Sequence, residues 1–78
     1  MTLKIISAEE ILFEGEVNSV TLPGAMGSFT VLHNHASLVS TLVAGNVVFA
    51  TADGTSQSRK IAGGVADIDN NIVSVCLF

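Results

Sequence analysis

The sequence has no tryptophan and no tyrosine, and it has four phenylalanines, one proline, one cysteine and only three basic residues. Each scarcity excludes something. Lys4, Arg59 and Lys60 cannot form the basic face that neutralises a nucleic-acid backbone, so no nucleic-acid partner is expected. Cys76 alone cannot form an internal disulfide. It sits in the apolar run Ile72-Val73-Ser74-Val75-Cys76-Leu77-Phe78, which predicts a buried, inert thiol. No apolar run approaches the roughly 18–20 residues that cross a bilayer. Glu9 and Glu10 interrupt the opening segment where a signal peptide would be uninterrupted. The expectation is a soluble chain, or one held at a membrane only through a partner.

What is present is small and apolar. Seventy-eight residues make one domain, 1–78, with 49% hydrophobic and 13% charged residues and a net charge of −4. A domain of this size buries only about 60% of the surface that its unfolded chain exposes. Some of the apolar content must therefore stay outside, and large exposed apolar patches mark interfaces.

Short alternating segments run the length of the chain. Leu3 and Ile5 share one face of a first strand. A tight turn follows over residues 7–10. The next strand places Ile11, Phe13 and Val17 on one face and Leu12, Glu14 and Glu16 on the other. A separate strand over 18–22 turns Val20 and Leu22 inward. Pro23-Gly24 ends it, because both residues favour turns. Phe29 and Val31 share a face of the strand over 28–32. Residues 36–44 fit both a helical and a strand period, and the β-rich surroundings favour strand. Ala52-Asp53-Gly54-Thr55 predicts a hairpin between strands 47–51 and 56–61, because Asp-Gly readily takes the positive φ of a tight turn. Gly63-Gly64 predicts a close backbone approach. Asp69-Asn70-Asn71 predicts a turn before the last strand, in which Val73, Val75 and Leu77 face inward. No long amphipathic helix is present. The fold class is all-β, a flattened sandwich or barrel.

Three constellations carry possible chemistry. His33 and His35, at i and i+2, share one side if they lie on a strand, and with Gly27 they match the opening of the cupin pattern G-x5-H-x-H. The glutamate and later histidine of that pattern are missing. A small cupin-like metal-binding β-barrel using His33 and His35 is thus the alternative reading, short of the three protein ligands that a catalytic zinc needs. The carboxylate pairs Glu9/Glu10, Glu14/Glu16 and Asp67/Asp69 read as solvated strand exteriors rather than acid–base machinery. Lys60 resembles the modified lysine of biotinyl or lipoyl domains only loosely, since it lies inside a predicted strand and not at a hairpin tip. No nucleophile elbow and no phosphate-cradling glycine loop is present. A binding module is favoured over an enzyme, with no catalytic, cofactor or metal residue assigned.

A longer pattern is more specific. Leu3-x-Ile5-Ile6-Ser7-Ala8-Glu9, Phe13-x-Gly15-x-Val17, Pro23-Gly24-x-x-Gly27, Val31-Leu32-His33-Asn34-His35-Ala36-x-Leu38 and Gly63-Gly64 follow one another. Together they resemble the N-terminal β-sandwich domain of the F-type ATP synthase ε subunit (δ in mitochondria), almost without gaps over residues 3–77. Thr30, His33 and Ser37 stand where the family pattern has glycine, proline and proline, and Ser28 where glutamate is common. The proline replacements free a φ that the ring would fix.

The resemblance implies about ten short strands in a flattened sandwich. It implies a non-catalytic rotor subunit of the central stalk, without cofactor, that clamps γ to the c-ring so that ion flow drives ATP synthesis. Carried over by position, Pro23, Gly24, Met26, Gly27, Ser28 and Phe29 would face the polar loops of the c-ring. Ser7, His33, His35, Ala36 and Leu38 would face γ. The expected location is the cytoplasmic face of the bacterial inner membrane, peripheral and within the F1 sector. The family's C-terminal helical hairpin, which serves ATP-sensing inhibition, is not expected, and the chain reads as naturally short.

Overall fold

A computed structural model describes residues 1–78 and contains eight strands and no helix. They are β1 (Thr2–Ile6), β2 (Ile11–Gly24), β3 (Gly27–Val31), β4 (Leu38–Leu42), β5 (Gly45–Thr51), β6 (Ser56–Ile61), β7 (Gly64–Asp69) and β8 (Ile72–Leu77). The all-β expectation holds, and the ambiguous segment over 36–44 forms strand β4. There are eight strands where the resemblance implied about ten, and the two strands expected over 11–22 are one continuous strand.

The reason lies in the phase of the apolar residues. Val17 is buried, and so are Val20 and Leu22, three and five residues later. A strict period of two cannot bury both sets. Pairing with β5 runs Val17 to Thr51 and then Ser19 to Ala50, which leaves Asn18 as the extra residue of a bulge. The bulge restores the inward phase and bends the strand. The Asn18 side-chain amide donates to the Thr51 carbonyl, 3.3 Å away.

A second bulge corrects another expectation. β1 pairs Ile5 with Phe13 and Ile6 with Ile11, skipping Leu12. Ile11 therefore turns outward with Ile6 and is 57% exposed, whereas Leu12 packs on the core beside Phe13. Phe13 in turn meets Phe49, with ring centroids 4.5 Å apart.

The sheet runs β1-β8-β7-β4-β2-β5-β6, and β1 also pairs with β2. The order therefore closes on itself through β2, while β3 and β6 remain as open edges. Only β1 and β8 are parallel. The inward faces of the strands meet in one core of fifteen apolar residues, among them Leu3, Ile5, Val20, Leu22, Phe49, Val73 and Val75. The molecule is flattened, 28 × 24 × 18 Å.

Cys76 is exposed, contrary to the expected burial. Val73 and Val75 occupy the core face of β8, so the pleat turns Cys76 to the outer face between Val65 and Ile6. The close approach expected at Gly63-Gly64 is present. A Cβ on Gly64 would run into the Cys76 carbonyl oxygen across the β7–β8 ladder.

The β5–β6 hairpin forms where expected, with residues 52–55 connecting strands that end at Thr51 and begin at Ser56. Gly54 takes φ +90°. The Asp53 carboxylate accepts from the Thr51 hydroxyl and from the Thr55 amide at 3.0 Å. These bonds, led by the Thr51 hydroxyl, hold its pKa down to about 2 from the ordinary 3.8. A depressed carboxylate stabilises the fold above its unfolded pKa, and that contribution fades as pH falls through the folded value. The turn should therefore loosen between about pH 4 and pH 2. Hydrogen exchange of the Thr55 amide followed by NMR will show it speeding up across this window, and Asp53→Ala will remove the pH dependence.

Candidate functional site

The family resemblance directs attention to two segments, and the strand register places them at opposite ends of the molecule. The first is the β2–β3 hairpin. Pro23 and Gly24 are buried strand residues, and the connection is the two-residue turn Ala25-Met26. Pairing runs Leu22 to Phe29, Pro23 to Ser28 and Gly24 to Gly27. Pro23 tolerates this place because it lies at the end of the strand, where its carbonyl still accepts from the Val43 amide at 2.9 Å. Gly24 is required by crowding: a Cβ there would lie 2.7 Å from the Gly27 oxygen and 2.8 Å from the Phe29 ring. The turn projects Met26 fully into solvent.

The turn is fastened to its surroundings. The Ala25 amide donates to the Thr41 carbonyl at 2.9 Å. Val43 lies beside it and is half exposed. Next comes Gly63, whose carbonyl accepts from the Phe78 amide at 3.2 Å. The Phe78 ring is 85% exposed. Met26, Val43 and Phe78 give this end an apolar surface.

The other end is built from the loop between β3 and β4, residues 32–37, and the β7–β8 turn, Asn70-Asn71. Both expected features appear here, the turn and the loop, but their joint geometry was not legible in the sequence. The Asn34 amide donates to the Asn71 side-chain oxygen at 2.6 Å, and the Asn71 side-chain amide donates to the Asn34 side-chain oxygen at 2.9 Å. The Ser37 hydroxyl donates to Asp69 at 2.6 Å. Asn34, Asn70 and Asn71 have φ of 62°, 50° and 61°, values that asparagine tolerates better than most residues. A shallow polar depression of about 410 Å³ lies between the two loops, lined by Asn34, His35, Ala36, Ser37, Asn70 and Asn71.

His33 and His35 are in this loop and not on a strand. With Asn34 left-handed between them, the i, i+2 rule for strands does not apply. His33 Nδ1 faces the Met1 ammonium at 3.5 Å, while His35 Nδ1 lies 2.7 Å from the Ala36 carbonyl. No three His, Cys, Asp or Glu side chains converge on a point that could hold a metal. The Met1 ammonium also pairs with Glu16 at 3.2 Å. The Thr2 hydroxyl donates to Glu16 at 2.7 Å, and this bond, ahead of the ammonium, holds the Glu16 carboxyl below the usual range.

Leu38 begins β4 directly after the loop, paired with Ile68. Leu32, Leu38, Val39 and Ile72 leave exposed apolar surface around the polar depression. Ser7 does not join this group. It caps the β1–β2 turn, its amide and hydroxyl both donating to the Glu10 carbonyl, at 2.9 and 3.3 Å. That turn lies at the far end of β1 from Met1 and His33. Lys60 lies within β6, opposite Asn46, and not at a hairpin tip.

The reciprocal Asn34–Asn71 pair ties segments 37 residues apart. Asn71→Gly keeps the left-handed backbone and deletes only the side-chain bonds. It should cost roughly 1 kcal/mol in urea unfolding and speed exchange of the Asn34 amide, with the remaining amides unchanged.

Comparison with known proteins accounts for this arrangement. Residues 1–77 match the family model described as ATP synthase, Delta/Epsilon chain, beta-sandwich domain. The chain is 36% identical over 75 residues to the ATP synthase epsilon chain of Bordetella petrii, a match covering 96% of this chain and 53% of that one. It is 39% identical over 70 residues to the ATP synthase epsilon chain of Chlorobaculum tepidum, covering 90% and 80%. The fold matches a chain in the cryo-EM structure of Euglena gracilis mitochondrial ATP synthase (OSCP/F1/c-ring) with a TM-score of 0.89 at 23% identity, covering 96% of this chain and 48% of that one. The chain thus spans about half the length of the Bordetella and Euglena proteins. The full-length pattern match, the closed β2-centred sheet and the identity to these relatives make one conclusion plain: the chain belongs to the β-sandwich domain family of ATP synthase delta/epsilon chains.

Proposed function

We propose that this chain is a non-catalytic subunit of the central stalk of a bacterial F-type ATP synthase, one that clamps γ to the c-ring. The observation that carries the proposal is the family match over residues 1–77. The distribution of exposed apolar residues at the two ends supports it. A rotor element between a shaft and a ring needs two contact surfaces on a stiff body. The closed sheet supplies the stiffness, and the Ala25-Met26 turn and the 33–38 loop supply two surfaces at its opposite ends.

In this reading Met26, with its strand neighbours Pro23, Gly24, Gly27, Ser28 and Phe29, rests on the polar loops of the ring. His33, His35, Ala36 and Leu38 meet γ; Ser7, which the resemblance also assigns to γ, lies at the far end of β1 from them. Ion flow turns the ring, and the clamp carries torque to γ and the catalytic subunits. Nothing in this role needs a cofactor or a nucleophile. Attachment to the cytoplasmic face of the inner membrane then comes through the complex.

Titration of the chain with the γ subunit of the same organism tests the shaft contact. Isothermal calorimetry should give a dissociation constant of micromolar or tighter. His35→Ala should weaken it about tenfold. Met26→Glu, at the far end, should leave γ binding unchanged. Absence of binding at micromolar concentrations would end this reading.

A further inference from the structure

β6 is an edge strand, paired with β5 and with nothing else. The direction of its backbone groups follows from one bond. The Thr51 amide donates to the Thr55 carbonyl at 2.8 Å, so Thr55 directs its carbonyl at β5. In an antiparallel ladder the N–H and C=O of one residue point to the same side, and the side alternates along the strand. The register pairs Phe49 with Gln57, Val47 with Arg59 and Gly45 with Ile61. Gln57, Arg59 and Ile61 therefore bond to β5, while Ser56, Ser58 and Lys60 direct their N–H and C=O groups outward. All three residues are exposed.

This open edge carries the opposite charge to the rest of the molecule. The chain has seven acidic and three basic residues, and two of the three cations, Arg59 and Lys60, lie on β6. Neither has a carboxylate within ion-pairing distance, since the ion pairs are Met1–Glu16 and Lys4–Glu14. The Arg59 guanidinium reaches the Leu12 carbonyl at 3.4 Å, on the face of the sheet opposite to that of Lys60. Asp53, the acid nearest to β6 in sequence, is bound into the hairpin loop beyond the other end of the strand. A lysine on an edge discourages indiscriminate pairing between strands. It does not discourage a strand that brings carboxylates.

We propose that the β6 edge is a strand-addition site for an extended acidic segment of a partner protein. The segment would bond through its backbone to Ser56, Ser58 and Lys60, and its carboxylates, on alternate residues, would lie on one face of the added strand, that of Lys60. Main-chain bonds supply affinity in such additions, and the flanking side chains supply selection. A second copy of this chain is a poor occupant because its own edge brings the same two cations.

The test uses the whole chain, labelled with 15N, and a capped eight-residue peptide of sequence Thr-Glu-Val-Glu-Thr-Glu-Val-Glu. NMR titration should shift and protect from exchange the amides of Ser56, Ser58 and Lys60, leaving those of Gln57 and Arg59 nearly unmoved. The same peptide with lysine in place of glutamate should bind at least tenfold more weakly. Lys60→Glu should weaken binding of the acidic peptide roughly tenfold. Ser58→Pro removes one outward N–H without touching the β5 ladder and should abolish it. Three results would each overturn the proposal: no protection at millimolar peptide, equal binding of the lysine peptide, or protection of the same three amides on concentrating the chain alone. The assay needs neither γ nor the ring, so its outcome is separate from that of the stalk reading.

Discussion

Fourteen consecutive residues of β2 divide their backbone hydrogen bonds among four neighbours, and the rest of the molecule hangs from that division. Its first half pairs with β1, its middle with β5, and its last residues with β3 on one side and β4 on the other. A straight strand cannot serve partners in so many directions. The bulges at Leu12 and Asn18 change its course while keeping Val17, Val20 and Leu22 in the core. Closure then follows, because β1, β8, β7 and β4 complete a path back to β2. A closed path removes edges and makes a small sheet stiff. With 78 residues, a stiff body has to come from closure of this kind and cannot come from a large core.

The same bulges explain which parts of the fold could be read from sequence. Strands of regular alternation were legible: Leu3 with Ile5, Val20 with Leu22, and Val73 with Val75 all face inward as their spacing requires. The turn at Asn70-Asn71 and the crowded Gly64 were legible because asparagine and glycine are chosen there for backbone reasons. A phase shift in an apolar pattern looks the same whether the chain breaks or bulges, so β2 read as two strands. Ile11 and Cys76 failed for related reasons. Ile11 follows Ile6 outward across a bulge, and Cys76 obeys the pleat rather than the hydrophobicity of its neighbours. Asp-Gly marked the β5–β6 hairpin correctly, and the bonds from the Thr51 hydroxyl and the Thr55 amide to Asp53 fasten its loop.

The candidate site shows a sharper limit. A family pattern named its residues, and the fold distributes them over two ends. Nothing local in the sequence announces that Asn34 and Asn71 meet, or that Met1 and Glu16 stand beside His33. Such contacts arise from the crossing of strands far apart in the chain, and only the register reveals them. They also give His33 a setting. Where the family pattern has a proline with fixed φ, this chain has a loop held by the Asn34 amide and side-chain oxygen, both bonded to the Asn71 side chain, and by the Ser37 hydroxyl, bonded to Asp69 at the end of β7. A polar clasp replaces a covalent restraint at the end proposed to meet γ.

The proposed clamp role draws on exposed apolar groups at both ends of the molecule. The most direct measurement of that role is hydrogen–deuterium exchange of the chain free, with γ, and in the assembled complex with the c-ring. The account predicts that γ slows exchange over residues 33–38, and that adding the ring slows exchange in the 25–29 hairpin as well. Unchanged exchange at both ends in the assembled complex would contradict it.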